Sequence, residues 1–459
     1  MWRREEGVVE FEVAVGGEAA DTFDLEKTVC SHGLFMLSPN HWDPLSRTFS
    51  RPLRLNDDTD NSLMVSISQH LSKSLLVRVY GNRSLSPKHQ ESLLVQIVRM
   101  LRLSDMDEFN AREFRKIVSA FEGEECPLIG DFGGRVLRSP TLFEDMVKCI
   151  LLCNCQWSRT LSMADALCKF QIELHSQSPQ QKHAFNHFIP NTPVKKEPKR
   201  KIRLSKVPTE SMDLEAADTC LTTDDSQMKI SNSLNCVDDG SFDNLKSCQG
   251  SNTFYSTGPY ATSDIQSHLV TQHCAKKTTG NFPSPRELAN LDERFLAKRC
   301  GLGYRAGRII KLAQGIVEGR IPLREFEQVS NGGSLSTYSK LTDQLREIEG
   351  FGPFTRANVL MCMGFYHVIP TDSETVRHFK QVHAKNSTIK TVQSEAEEIY
   401  RKFAPFQFLV YWAELWHFYE QRFGKLSEMP CSNYKLITAS NLRNKGHHKA
   451  KRAKISRAD

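Results

Sequence analysis

The hydrophobic period of the chain changes near residue 82, and this change constrains the fold more than any other feature. Before it, apolar and polar residues alternate in short runs. The clearest runs are residues 9–13, 48–53, 63–67 and 75–79. After it, apolar residues recur every three or four positions, as in Leu93, Ile97 and Leu101. Alternation is typical of antiparallel strands with one wet face, and the longer period is typical of amphipathic helices. We therefore predict an α+β fold, with an N-terminal antiparallel β domain at 1–84 and helices after it.

Residues 174–281 interrupt the helical pattern. Their apolar period disappears, and Ser, Thr, Asn, Asp, Gln and Lys predominate. Such a stretch cannot bury enough apolar surface to offset the entropy of ordering it. We predict a disordered insertion that divides one helical domain into parts at 85–173 and 282–430. A basic, disordered tail is predicted at 431–459.

Positive charge is concentrated in two stretches of the chain. The net charge is only +6, but Lys and Arg cluster at 195–206 and 443–457. Such clusters indicate a polyanion or a nuclear import receptor as a partner, with a solvated charge run as the alternative. We expect a nuclear protein, and a monomer.

Membrane and metal chemistry find little support in the sequence. There is no apolar run long enough for a transmembrane helix and no secretory signal at the start, so no membrane partner is expected.

The thirteen cysteines include no C-x-x-C pair. Cys149, Cys153 and Cys155 lie in an apolar helical stretch, which favours buried thiols over metal ligands. No metal site is predicted.

A pair of glycines separates two helical patterns in the second part of the helical domain. Gly350, Phe351 and Gly352 lie between two segments with helical apolar repeats. Glycines let the backbone turn tightly, and the first turn of the next helix, which includes Thr355, can offer its N–H groups to a phosphate. Gly350, Phe351, Gly352 and Thr355 are therefore the predicted contacts to a DNA backbone, and such contacts do not read the bases. The same hairpin could hold a monovalent or divalent cation.

A carboxylate follows the hairpin. Asp372 comes at the end of Pro370-Thr371-Asp372, where it would open the next helix after a proline-bearing loop. Hairpin, helix, loop and aspartate together resemble the helix-hairpin-helix (HhH-GPD) superfamily of DNA glycosylases. This resemblance implies that Asp372 is catalytic. The alternative is that Asp372 serves only as a helix N-cap, a position that Asp commonly fills.

The resemblance covers the chain apart from the insertion and the tail. Residues 23–28 and 282–306 are similar to 8-oxoguanine glycosylases, and residues 404–406 are similar both to these and to alkylbase (3-methyladenine) glycosylases. Residues 140–168 resemble the central helix pair of the 8-oxoguanine enzymes. This places Asn154 where that family inserts an asparagine into the duplex; the alternative is a buried, hydrogen-bonded amide.

The implied mechanism follows from the chemistry of a base inside a duplex. Such a base is unreachable until it is flipped out, which damage or mispairing makes easier. Cleavage of the N-glycosidic bond then builds positive charge on the sugar, which a carboxylate can stabilise while it activates water. The resemblance assigns both tasks to Asp372 and implies double-stranded DNA containing a lesion as the partner.

Departures from the family pattern narrow the prediction. Phe354 occupies the position where glycosylases that also cut the strand carry a Schiff-base lysine, so a monofunctional enzyme is expected. Phe354 and Asn358, one turn later, are predicted to line the base pocket, although Phe354 could instead be core. Tyr411 and Leu415 stand where 8-oxoguanine enzymes have Gln and Phe, which leaves the substrate open and makes Tyr411 a further pocket candidate.

Two other functions are compatible with the same residues. The chain could be a catalytically inactive DNA-binding protein on the same fold, which the unusual Arg356 keeps open, since the motif prefers a small residue there. It could also be a bifunctional glycosylase/lyase with a relocated lysine, of which Lys380 is nearest. No cofactor is expected, because the four-cysteine iron–sulfur spacing is absent and only Cys431 lies in the C-terminal region.

Overall fold

The computed structural model describes most of the two predicted domains. The described residues are 7–16, 22–55, 62–71, 73–81, 84–121, 129, 132–176, 280–329, 335–438 and 441. They all belong to one compact unit, Met1–Phe188 with Ala275–Asp459. Apart from its ends, the insertion that was predicted to be disordered lies outside these ranges. The basic clusters at 195–206 and 443–457 lie outside them as well.

Five strands form one antiparallel sheet near the start of the chain. They are β1 (Val8–Ala14), β2 (His41–Asp43), β3 (Thr48–Arg54), β4 (Ser62–Leu71) and β5 (Ser74–Tyr80). Their order across the sheet is β1-β5-β4-β3-β2. Val77 of β5 lies opposite Phe11 of β1 and Ile67 of β4, so alternate residues of the strands share one face.

The alternation of the sequence accounts for this sheet. Leu75, Val77 and Val79 are fully buried, while the residues between them are half-buried. The predicted antiparallel β domain is confirmed. The sequence pattern did not reveal the short strand β2, the helix α1 (Leu25–Val29) or the 3-10 helix at Gly33–Met36.

Helices make up the remainder of the described chain, which confirms the α+β class. They are α2 (Pro87–Leu101), α3 (Asp105–Ala120), α4 (Leu142–Leu152), α5 (Trp157–Ser176), α6 (Pro285–Leu288), α7 (Glu293–Cys300), α8 (Arg305–Val317), α9 (Leu323–Gln328), α10 (Leu335–Arg346), α11 (Pro353–Cys362), α12 (Ser373–Val382), α13 (Val392–Tyr400) and α14 (Gln407–Phe423). None of the helices described is both long and apolar enough to cross a membrane.

Helix α4 lies at the centre of the helical core. Thr141 caps its N-terminus by accepting a hydrogen bond from the Glu144 N–H at 3.3 Å. Ten of its eleven residues are buried. The sheet has a second core of its own, and Trp157 and Tyr419 pack against both cores. The two cores are therefore joined by large aromatic side chains.

A buried charge network connects the sheet to α4. Arg51 of β3 donates two hydrogen bonds to the Glu144 carboxylate, at 3.1 and 2.8 Å. Lys148, one turn further along α4, lies 2.7 Å from the same carboxylate. Burial raises the pKa of Glu144, but Arg51 and Lys148 outweigh that effect and lower it to about 2. Two positive charges therefore share one buried carboxylate within the core.

The two ends of the insertion leave the helical core side by side. Helix α5 runs to Ser176, slightly beyond the predicted boundary. Gln171 accepts a hydrogen bond from the Asn281 N–H at 3.1 Å, and His175 lies 2.6 Å from the Glu287 carboxylate. A Cβ on Gly280 would lie 2.1 Å from the Cys168 carbonyl oxygen, so only glycine fits at this junction.

The segment after residue 430 differs from the predicted disordered tail. Cys431–Leu436 forms a 3-10 helix, and Tyr434 is buried against Phe35 with ring centroids 5.5 Å apart. The sequence concealed this because one aromatic residue among polar neighbours has no periodic pattern. Burial of Cys149 agrees with the predicted thiol role, while Cys153 and Cys155 are half-buried.

We predict that Arg51→Met lowers the free energy of unfolding by about 2–4 kcal/mol, because it removes two charge-assisted hydrogen bonds to the buried Glu144 carboxylate, which is left paired with Lys148. The matched control is Arg78→Met, which removes an exposed ion pair with Glu10 and should cost less than about 1 kcal/mol. Chemical denaturation measures both. In the wild type the stability due to Glu144 is present at neutral pH and is lost as pH falls toward about 2. Equal losses in the two variants would contradict the role of the network.

Candidate active site

The predicted hairpin is present between α10 and α11. Gly350 has φ +88°, a left-handed conformation that favours glycine. A Cβ at this position would also lie 2.5 Å from Cδ of Arg308. Gly352 has an ordinary φ of −66°, and a Cβ there would meet nothing within 4 Å. Gly350 thus makes the turn, whereas Gly352 leaves open space in front of the next helix.

The start of α11 presents backbone rather than side chains. No side chain caps it, and Pro353 occupies its first turn. The first N–H groups of a helix have no partner within the helix, so they remain available to a ligand. The side chains of Phe351 and Thr355 are buried. Thr355 Oγ1 lies 3.0 Å from Cys153 Sγ, so any contact from Thr355 to DNA comes through its N–H group.

Arg356 reaches back to the hairpin turn. Its guanidinium donates a hydrogen bond to the Phe351 carbonyl oxygen at 2.9 Å. The side chain thereby satisfies a carbonyl of the turn itself. This contact explains how a large residue is accommodated where the motif prefers a small one.

Two buried arginines hold the other end of α11. Arg102 donates to the carbonyl oxygens of Met361 at 3.0 Å and Cys362 at 2.8 Å. Arg138 donates to the Cys362 carbonyl oxygen at 3.1 Å. The last carbonyls of a helix lack partners within it and carry partial negative charge, so these guanidinium groups satisfy both needs.

Asp372 opens α12 as its N-cap. Its Oδ1 atom accepts hydrogen bonds from the N–H groups of Glu374 at 2.9 Å and Thr375 at 3.0 Å. The Thr375 hydroxyl donates to the same atom at 3.3 Å. Among the described residues, Oδ2 has no hydrogen-bond partner. The capping role foreseen as an alternative is real, but it uses one carboxylate oxygen and leaves the other free.

Burial raises the pKa of Asp372 above its usual value. The hydrogen bonds from Thr375 and Glu374 act in the opposite direction, while the nearby charge of Glu374 adds to the increase. Half-buried surroundings of this kind strengthen electrostatic interactions with a ligand. The arrangement therefore suits a carboxylate that acts on developing positive charge.

Tyr411 is linked to Asp372 through one residue. Its hydroxyl lies 3.0 Å from Thr375 Oγ1, which in turn contacts Asp372. Tyr411 is buried, and burial raises the pKa of its phenol well above the usual range, so the phenol stays neutral. Of the predicted pocket residues, the structure brings Tyr411 into the hydrogen-bond network of Asp372.

Phe354 and Asn358 lie one turn apart on α11. The Asn358 amide donates to the Phe354 carbonyl oxygen at 2.9 Å. Asn358 is buried and Phe354 is half-buried. Both residues therefore lie on one face of α11, as expected for successive turns, and their assignment to a base pocket stays a prediction.

Asn154 lies on an exposed turn between α4 and α5. Its φ of +46° is left-handed, and its side chain is exposed, so the alternative of a buried amide is wrong. Arg305 donates to the Asn154 carbonyl oxygen at 3.2 Å and also to that of Cys153. Cys153 contacts Thr355 at the hairpin, so the turn and the hairpin are connected.

Tyr304 is a surface residue that the sequence reasoning did not single out. It is 48% exposed, and its hydroxyl lies 3.4 Å from the Cys153 carbonyl oxygen. The guanidinium groups of Arg305 and Arg308 each lie 4.7 Å from its ring centroid. Arg308 also packs under Gly350. An exposed aromatic residue with arginines one and four positions later was the signal available for this site.

Lys380 lies away from Asp372. It is exposed on α12, eight positions after the cap. That separation corresponds to about 12 Å along a helix axis. The geometry therefore gives Lys380 no direct contact with the carboxylate.

Comparison with known proteins finds solved structures that are similar to this chain at low sequence identity. No model of a protein family matches the chain, and no curated protein matches it in sequence. The apo 8-oxoguanine glycosylase/lyase of Clostridium acetobutylicum is 11% identical, with a TM-score of 0.46 over 86% of this chain and 92% of that chain. The 3-methyladenine DNA glycosylase from Archaeoglobus fulgidus is 13% identical, with a TM-score of 0.46 over 88% and 98%. The Clostridium enzyme in complex with double-stranded DNA containing cytosine opposite 8-oxoguanine is 10% identical, with a TM-score of 0.43 over 85% of this chain and 91% of that chain.

We predict that Gly350→Ala destabilises the protein by about 1–2 kcal/mol, since alanine disfavours a left-handed φ. Gly352→Ala is the control, because its φ is ordinary and its Cβ meets open space. The control should lose less than about 1 kcal/mol, since it introduces no backbone strain and costs only the preference of an N-cap for glycine over alanine. Thermal unfolding followed by circular dichroism makes the comparison. A stable Gly350→Ala protein would show that the turn does not need glycine.

Proposed function

We propose that this chain is a monofunctional DNA glycosylase of base-excision repair, which flips a damaged or modified base out of the duplex and hydrolyses its N-glycosidic bond. The observation that carries the proposal is that the two carboxylate oxygens of Asp372 have different surroundings. Its Oδ1 atom holds the helix cap through three donors, and its Oδ2 atom is left for chemistry. Asp24 and Asp292 also cap helices through Oδ1, but at Asp372 the Thr375 hydroxyl is an additional donor and links the carboxylate to the buried Tyr411.

The fixed orientation of the carboxylate supports this role. Two backbone N–H groups and the Thr375 hydroxyl keep Asp372 in one rotamer before substrate arrives, and Tyr411 fixes Thr375 in turn. Preorganised charge is commonly worth several kcal/mol of transition-state stabilisation. With the sugar of an extruded nucleotide beside it, Oδ2 would stabilise the oxocarbenium-like transition state and orient the attacking water.

DNA binding is proposed to use the hairpin and the surface next to it. The uncapped start of α11 offers N–H groups and the positive end of a helix dipole to a phosphate, and the hairpin could add a bound cation. Exposed Tyr304, stacked with two arginines, suits contact with bases or backbone beside the extruded nucleotide. Asn154, exposed on the neighbouring turn, is the proposed residue for insertion into the duplex.

The cellular setting is also part of the proposal. We infer a monomer that works in the nucleus and is carried there by an import receptor through the basic cluster at 195–206. Such a cluster matches the short basic segments that these receptors bind. Its partner there is double-stranded DNA containing a lesion.

We predict that Asp372→Asn abolishes base release while keeping the fold. Asparagine caps helices as well as aspartate does, so a residue that only caps would tolerate the change. Release of the base should fall by at least about 100-fold, the usual effect of removing one preorganised electrostatic group. Single-turnover assays on duplexes with 8-oxoguanine, alkylated purines, hypoxanthine or uracil, followed by alkali to break abasic sites, measure it.

The stability of the same variant separates catalysis from folding. Because burial raises the pKa of Asp372, its favourable contribution to folding is present in acid and is lost as pH rises through the raised value. At neutral pH the Asn variant should therefore be at least as stable as wild type. Asp292→Asn, which changes the N-cap of α7, is the matched control and should keep full activity. DNA binding without abasic product from any wild-type reaction would favour the inactive alternative.

We predict that no Schiff base forms on this protein. Phe354 occupies the position of the family's lysine, and the exposed Lys380 lies two turns from Asp372. Incubation with substrate DNA and borohydride should therefore give no covalent complex, and Lys380→Gln should release base at the wild-type rate. A trapped complex that disappears in Lys380→Gln would establish the bifunctional alternative.

A further inference from the structure

Two histidines and a glutamate converge behind the helix that Asp372 caps. His378 and His383 lie near the C-terminal end of α12, and Glu414 lies on α14. The Nε2 atoms of the two histidines are 2.6 and 2.7 Å from Glu414 Oε1. All three ligand atoms lie within 4.8 Å of one another. The Tyr400 hydroxyl is also close, at 3.1 Å from the same oxygen and 3.2 Å from His383 Nε2.

The distribution of these contacts is uneven. Three donors crowd onto Oε1, while Oε2 of Glu414 is buried and has no hydrogen-bond partner among the described residues. The side chains of Glu414 and His378 are 4% and 0% exposed. A buried carboxylate oxygen without a partner is costly, and an ion bound by both oxygens of the Glu414 carboxylate would satisfy it. A purely hydrogen-bonded cluster leaves this oxygen unexplained.

We propose that His378, His383 and Glu414 form a structural metal site, with Zn²⁺ as the ion that fits it. Two imidazole nitrogens and one carboxylate are a common zinc ligand set, and zinc favours four tetrahedral ligands. The Tyr400 hydroxyl, or a water next to it, is positioned to complete the set. This site is separate from Asp372 and does not depend on the proposed function.

Entry of the ion requires only a small movement. With bonds of about 2.0 Å, two ligands of a tetrahedral zinc lie roughly 3.3 Å apart, so the histidines must withdraw from Oε1 by about 0.6 Å. Each ring then binds the ion through Nε2 and carries its proton on Nδ1, which in His378 is buried and has no acceptor among the described residues. The His383 side chain is 21% exposed, which gives a route from solvent.

The site would fix the helix that carries the candidate catalytic residue. His378 and His383 hold the end of α12, and Asp372 lies at its beginning. Glu414 shares α14 with Tyr411, which reaches Asp372 through Thr375. A metal that joins α12 and α14 would therefore hold Asp372 and Tyr411, one on each helix, in fixed positions relative to each other.

Metal binding by the purified full-length chain tests the proposal. The protein is treated with chelator and titrated with Co²⁺, a spectroscopic substitute for Zn²⁺; bound metal is then counted by mass spectrometry. The test variants are His383→Gln, at a partly exposed position, and Glu414→Gln, which keeps a hydrogen-bond acceptor but removes the charge. His89→Gln, on α2, is the control.

We expect wild type and His89→Gln to bind one equivalent of Co²⁺ that both test variants lose. Its spectrum should show tetrahedral d–d bands without the intense thiolate bands that binding to the chain's cysteines would give. Zn²⁺ should displace the Co²⁺ and raise the melting temperature of wild type more than that of His383→Gln. Equal binding by wild type and His383→Gln, a thiolate spectrum, or no bound metal would overturn the proposal and leave a hydrogen-bonded cluster.

Discussion

Two guanidinium groups on the last carbonyls of α11 are the contact on which the rest of the site depends. Arg102 and Arg138 come from the part of the chain before the insertion, whereas α11 comes from the part after it. They neutralise the negative end of the helix in the core. The opposite end, after Gly352, is left uncapped at the surface. One helix thus has a satisfied inner end and an unsatisfied outer end, which is the condition for binding an anion at a chosen point.

The sequence was most informative where structure repeats at short range. Alternating residues in β5 and the three-and-four spacing of α2 depend only on which face is buried, so they could be read directly. The Asp372 cap was equally accessible, because capping is local. The short β2 was not, because a strand of three residues is too short to show alternation. The 3-10 helix around Tyr434 was not either, since Tyr434 packs on Phe35 from the other end of the chain.

Side-chain roles within the site were harder to predict than positions. Thr355 was expected at the DNA backbone, yet the helix turns its side chain inward to Cys153. Glu414 lies on α14, and its histidine partners come from another helix. The division of Asp372 into a capping and a free oxygen depends on rotamers, which no sequence pattern encodes. Such features arise from tertiary contacts between residues that are individually unremarkable.

The junction at Gln171, Gly280 and Asn281 has a consequence for how this protein can change. Both chain ends leave the helical core at one point, tied together by hydrogen bonds and close backbone packing. The entropic cost of closing a loop between fixed ends grows only with the logarithm of its length. Segments of very different length or composition can therefore be exchanged there over evolution with little effect on the helices around them. For the same reason, a chain cut at this junction should supply two halves that reassemble, and new termini could be engineered there.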